Sequence, residues 1–249
     1  MKNLTKALGI SLITAASMTQ HATADTIFGI YAGAGGWRGD YSGTVGDPAA
    51  STGDLSMGKA NNTFYYVAIE HPVLFLPNLK VQHNELTSRQ SSILDTDFRL
   101  DDIRFPAGTN LRTDFDLSYT DATLYYEVLD NWLNLDVGIT LRKYSGYLAA
   151  EASQLSEKVD ADLALPLIYG KFQFDLPLTG FFAGFEGNYI GYNGNELFDY
   201  NAKIGYLFDS ALDLGIEAGY RTITMNIDEN DVVANLELKG PYLAAIFHF

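Results

Sequence analysis

Between Leu133 and Arg142 the chain alternates without a break. Leu133, Leu135, Val137, Ile139 and Leu141 fall on one side of an extended backbone, and Asn134, Asp136, Gly138, Thr140 and Arg142 on the other. Side chains of a strand point to opposite faces at period two, so this segment has one apolar and one polar face. The same period recurs along the chain, broken each time by turn residues. It gives ten strand segments, at 25–38, 62–71, 78–89, 110–129, 133–142, 159–169, 181–189, 198–206, 212–221 and 232–249. A chain patterned this way is all-β, either a sandwich or a barrel.

The start of the chain is of a different kind. Lys2 and Lys6 precede a short apolar run from Ala7 to Met18, and Ala22-Thr23-Ala24 supplies the small-x-small pattern of a signal-peptidase site. Residues 1–24 therefore read as a cleavable signal peptide, and 25–249 as one domain. No stretch offers the roughly 20 apolar residues that a spanning helix needs. The whole chain carries a formal charge of −15, and the first 24 residues hold two lysines and no acid, so the remainder carries −17. That balance excludes nucleic acid as a partner, whose phosphates need a basic face. With no cysteine, disulfides, thiolate metal sites and cysteine nucleophiles are excluded.

Ten is an even number, which puts both ends of the domain on one side of a closed up-and-down barrel, as single-chain outer-membrane barrels require. Connections at 72–77, 130–131, 175–178 and 209–210 are short. Those at 39–60, 90–109 and 146–158 are long, and 193–195 is short again. Eight or twelve strands are the alternative counts. Aromatic residues make up 13% of the chain, with Phe28, Tyr125, Tyr126, Tyr169, Phe181, Tyr206, Phe208 and Phe247 near the presumed periplasmic rim, where amphipathic rings suit a membrane interface. The last strand, with Leu243, Ala245, Phe247 and Phe249 on one face, resembles the terminal strand of outer-membrane barrels, in which a C-terminal Phe is the assembly signal. The resemblance implies the outer membrane as location. The implied partners are its lipid, lipopolysaccharide and the barrel-assembly machinery.

Several details of the strands carry expectations. Gly29, Gly33 and Gly35 face inward around Tyr31, leaving room for bulky neighbours. Residues 110–129 are too long for one crossing, and their apolar set changes face near Thr120, which suggests a β-bulge there. A short helix is expected near Ile93–Arg99. Leu163, Leu165, Leu167 and Tyr169 are expected outside, with Pro166 marking a bend. Gly240-Pro241 is expected to shift the face of the last strand.

The run Ala32-Gly33-Ala34-Gly35-Gly36-Trp37 resembles the first strand of a Gram-negative outer-membrane β-barrel family with a Gly-Gly motif. Asp116 to Asp121 and Leu124 to Trp132 are similar to the same family. That family carries no established activity, so the resemblance implies location and fold and no site.

Projecting the inner faces gives Glu70, Lys80, Asp199, Glu237 and Lys239 together with a lumen network of Arg112, Asp114, Asp116, Asp136, Arg142, Asp160, Asp162, Glu186, Lys203, Asp213, Glu217 and Arg221. A ten-stranded barrel is narrow, and a desolvated charge needs a partner, so a packed ion-pair network filling the lumen is the expectation. The alternative is a narrow, cation-leaning channel lined by the excess acids. A membrane enzyme acting on lipid or peptide is the third reading, and it lacks residues. Asp101-Asp102 lies in an external loop without a histidine, and Ser88 with His83 reads as an ordinary strand pair. No catalytic, cofactor or metal residues are expected. A structural or interaction role follows, with oligomeric state left open.

Overall fold

The computed structural model describes residues 28–46, 49–55, 57–208, 213–229 and 232–248. The expected signal peptide, the turn expected at Asp209-Ser210 and the expected assembly signal at Phe249 lie outside the described residues. In chain order the strands are β1 (Gly29–Gly46), β2 (Ala49–Ser51), β3 (Lys59–Glu70), β4 (Asn78–Glu85), β5 (Thr87–Ile93), β6 (Phe98–Leu100), β7 (Ile103–Phe105), β8 (Asn110–Asp116) and β9 (Tyr119–Leu129). They continue as β10 (Leu133–Tyr144), β11 (Gly146–Ala152), β12 (Leu155–Ala161), β13 (Ala164–Asp175), β14 (Phe181–Tyr192), β15 (Asn195–Leu207), β16 (Asp213–Glu229) and β17 (Val232–His248).

Ten of these, β1, β3, β4, β9, β10 and β13 to β17, pair antiparallel in that order, and β17 returns to β1 to close a barrel. The closing ladder runs from Tyr31 opposite His248 to Val45 opposite Ala234. Closure pairs every wall strand on both sides and leaves no long free edge. One rim carries short turns together with both ends of the barrel chain. We call this the turn end. The other rim, the hairpin end, carries the extra strands.

Strand faces follow the alternation. Val137, Ile139 and Leu141 of β10 are exposed on the outer face, whereas Asp136, Thr140 and Arg142 are buried inside. The same holds for Leu79 and Val81 outside and Asn78 and Asn84 inside on β4. The barrel is therefore apolar outside and polar within, the reverse of a soluble sandwich.

At the hairpin end the structure corrects several expectations. Residues 39–60 are not a long loop: β1 rises to Gly46, β2 turns back along it, and β3 starts at Lys59. Residues 90–109 hold strands β5 to β7 rather than a helix near Ile93–Arg99. The segment 110–129 is two strands, and the change of face near Thr120 is no bulge. Residues 110–116 form β8 in a separate four-stranded sheet, ordered β12, β11, β8, β5, and the chain enters the wall only at Tyr119. The register shift lies instead at Leu135/Asp136, between β10 and β9. Residues 146–158 are β11 and most of β12 in that same external sheet.

Two face assignments also change. Leu167 and Tyr169 are buried and point inward, while Ile168 and Phe172 are exposed, so the outer face of β13 belongs to the even positions. Tyr125 is likewise buried, which removes it and Tyr169 from the outer rim. On β17 the register against β16 is continuous through Gly240-Pro241 and no shift of face occurs. Leu238, Tyr242, Ala244 and Ile246 all point inward, and Leu243 and Phe247 outward.

Candidate functional site in the barrel lumen

The lumen is filled in three layers. Uppermost, at the hairpin end, an apolar core joins wall residues Trp37, Tyr41, Leu197, Ile223 and Leu238 to Leu94, Phe98, Phe105, Leu111 and Phe115 from the external hairpins. Burial of these large side chains is what draws β5 to β8 over the barrel mouth.

Beneath it lies a buried cluster of two arginines and two aspartates. Arg142 donates from Nε and Nη2 to both oxygens of Asp121 at 2.8 Å each, and from Nη2 to Asp199 Oδ2 at 2.6 Å. Arg221 donates to the same Asp199 carboxylate, Nε to Oδ1 at 2.9 Å and Nη2 to Oδ2 at 2.8 Å. Its Nη1 donates to Asn84 Oδ1 at 2.6 Å and its Nη2 to the Tyr119 hydroxyl at 2.7 Å. Tyr119 in turn donates to Asp199 at 3.0 Å, and its ring centroid lies 3.8 Å from the Arg142 guanidinium carbon. Arg142 is 0% exposed. Planar guanidinium forks meeting carboxylates in this way form the strongest of ordinary hydrogen bonds.

The third layer, toward the turn end, is built on lysines. Lys80 pairs with Glu186, and Lys203 bridges Glu186 and Glu217 at 3.2 Å each. Lys171 pairs with Asp136 at 2.9 Å. Tyrosines close the remaining acceptors: Tyr242 donates to Glu217 at 2.6 Å, Tyr169 to Glu186 at 3.1 Å and Tyr125 to Glu70 at 2.6 Å. The large rings fit because glycines face them. A Cβ on Gly33 would lie 2.5 Å from the Tyr66 ring, and one on Gly205 would lie 2.1 Å from the Phe182 ring. Below this layer a cavity of about 120 Å³ is lined by Tyr31, Glu70, Lys171, Phe182 and His248, among others.

Of the residues expected in the lumen, Glu70, Lys80, Asp136, Arg142, Glu186, Asp199, Lys203, Glu217 and Arg221 meet in these two charged layers, whereas Glu237 and Lys239 pair with each other on the exposed outer face. Asp213 sits at the turn end, 3.7 Å from His248 Nδ1. Arg112, Asp114, Asp116, Asp160 and Asp162 are not in the lumen. The first four lie on β8 and β12 of the external sheet, and Asp162 lies just beyond β12. There Asp114 pairs with Arg89, Asp160 with Lys158, Asp162 with Lys143, and Arg112 approaches Glu151 at 3.9 Å. Asp116 accepts the Ser118 amide at 2.8 Å. Their alternation reflects a sheet with its own two faces, not a wall strand.

Sequence reasoning missed Asp121, Tyr119 and Lys171 as network members. Continuing period two upward from Thr123 would have placed Asp121 and Tyr119 inside. Counting down from an inward Tyr169 would have placed Lys171 there. With these exchanged for the external acids, the charges of the upper layer balance, Arg142 and Arg221 against Asp121 and Asp199.

The fold defines a closed, ten-stranded, antiparallel up-and-down β-barrel with a polar, side-chain-filled interior. No protein-family model matches the chain, and no curated protein does. Among solved structures it is similar to Neisserial surface protein A, at 12% identity over 88% of this chain and 97% of that one, with a TM-score of 0.36. A second similar structure is the toluene transporter TodX of P. putida, at 8% identity over 88% and 89% of the two chains, with a TM-score of 0.31. The barrel assignment stands on this chain's own ladders, since likenesses of that size carry no weight for function.

Proposed function

We propose that this protein is an integral outer-membrane barrel, exported by its signal peptide, whose lumen is a closed ion-paired plug and whose role is structural or interactive. The observation that carries this reading is the Arg142–Asp199–Arg221 cluster. It links β10, β15 and β16 through the middle of the lumen, with an apolar core stacked above it. An ion crossing this barrel would need to break charge-assisted hydrogen bonds in a site shielded from water. The apolar outer face supports a lipid surrounding, because exposed apolar surface on this scale is costly in water.

Reconstituted in planar bilayers, the full mature chain should give no steady single-channel current. Arg142→Ala should introduce leak. Steady, cation-selective current through the unaltered protein would replace this reading with that of a narrow channel lined by Glu70, Asp136 and Glu217.

A further inference from the structure

The wall is not equally tall all the way round. The ladder between β13 and β14 runs from Asp175 opposite Phe182 up to Ile168 opposite Tyr189 and stops there. Above that level Ala164 and Pro166 of β13 remain paired only to β10, on the other edge. Ile190, Gly191 and Tyr192 of β14 remain paired only to β15. Two strand edges thus face each other without a ladder between them, and Pro166, which has no amide hydrogen, lies in that stretch. The β14–β15 hairpin turns low, at Asn193 and Gly194, where φ is 50° and 85°. Beside it, β16 and β17 continue upward past the last β15 pair, Glu196 opposite Asn226.

An apolar cavity of about 500 Å³ reaches this seam from its β13 edge, at Leu165, with no β14 residue in its lining. Leu163, just before β13, and Leu165 on it form one side, Met225 and Ile227 of β16 another, and Met57 and Phe115 are also in the lining. Polar groups are confined to a few positions, Arg99 and Asp101 on the β6–β7 hairpin and Asp160 and Asp162 by the external sheet. Volume and lining match a small-molecule pocket, largely apolar with a few polar groups. Methionines suit an occupant of variable shape. The seam begins where Ile168 and Tyr189, 69% and 41% exposed, end the apolar outer belt. An occupant reaching the cavity through the seam passes directly from apolar exterior to apolar interior.

We infer that this cavity is a binding site for one unbranched acyl chain, entering between β13 and β14 with its anionic head left at the rim toward Arg99, the one cation among the described lining residues. The site lies above the charged layers, so occupancy needs no conduction through the lumen and is independent of the plug proposed above.

The test uses the full mature chain refolded in detergent micelles, with a fluorescent long-chain fatty acid as ligand. Binding should be saturable and displaced by the unlabelled acid. Met225→Trp and Ala161→Trp fill the cavity from two different strands, and each should weaken binding by about tenfold or more. Tyr66→Phe, in the cavity at the turn end, should leave it unchanged. Retention of faster migration on unheated gels shows that each variant is folded. Native mass spectrometry of protein taken from cell membranes distinguishes the source: an intact-lipid adduct points to the bilayer and a free fatty-acid adduct to a soluble supply, and either supports the site. Equal affinity in the unaltered protein and both folded tryptophan variants, or no saturable binding at all, overturns the inference.

Discussion

Arg142 and Arg221 share Asp199, and only Arg142 also holds Asp121. Their replacements should therefore differ. Arg142→Ala leaves Asp121 buried with no arginine and should cost about 3–5 kcal/mol, the usual penalty for breaking one side of a buried pair. Arg221→Ala leaves Asp199 still paired to Arg142 and should cost less. Urea midpoints of the two variants refolded into vesicles check this, and equal losses would count against the shared carboxylate. Gly138 is a second sensitive residue. A Cβ there would lie 2.3 Å from the Leu124 carbonyl oxygen, so Gly138→Ala must move the β9–β10 ladder, at about 1–3 kcal/mol. At the hairpin end, Asp97 accepts the Ala107 amide at 2.8 Å and pairs with Arg104, and these bonds hold its carboxyl below the usual carboxylate range. The stabilisation it gives the β6–β7 hairpin is therefore present above that range and disappears as pH falls through the lowered value. Hydrogen-exchange protection of the Ala107 amide should drop in acid, and Asp97→Asn should abolish that dependence.

Strand β10 makes the sharpest element-scale test, since its two faces meet opposite surroundings. Arginine at Val137 or Ile139 places a charge on the apolar outer face, at about 2–4 kcal/mol near mid-membrane. The polarity pattern alone suggests that arginine at Thr140, on the polar face, is milder. The structure reverses that expectation, because Thr140 is 0% exposed and bonds Thr123 at 2.7 Å, leaving no space for a longer chain. Unfolding midpoints in vesicles should therefore rank Thr140→Arg no better than Ile139→Arg. This contrast shows what alternation carries. Period two reports that two faces differ, which made the wall strands legible from Leu133 to Arg142. It does not report which sheet a strand joins, and β8 alternates as cleanly as β9 does. The acids on β8 and β12 were therefore counted as lumen residues. On β13 both faces are apolar, Leu165 and Leu167 on one and Ile168 and Phe172 on the other, so polarity could not choose the inner side.

For the whole molecule, a closed ladder of backbone hydrogen bonds should resist detergent, so the folded protein should run faster on gels unheated than boiled. Identical migration in the two lanes would speak against the closed barrel. The outer apolar belt and the count of ten strands were readable from sequence because they repeat. The caps over the lumen were not, because they depend on which hairpins fold inward. Those caps have a consequence for exchange. With the charged layers shut off from the hairpin end by the Phe98, Phe105 and Phe115 core, and the cavity beside Glu70 and Lys171 lying at the turn end, the charged part of the interior is a cup with one mouth. With the turn end on the periplasmic side, as the even strand count leads one to expect of an outer-membrane barrel, water and protons would reach the lysine layer from that compartment alone. The outside medium could change in acidity or salt while Glu186 and Lys203 continued to equilibrate with the cell's own side of the membrane.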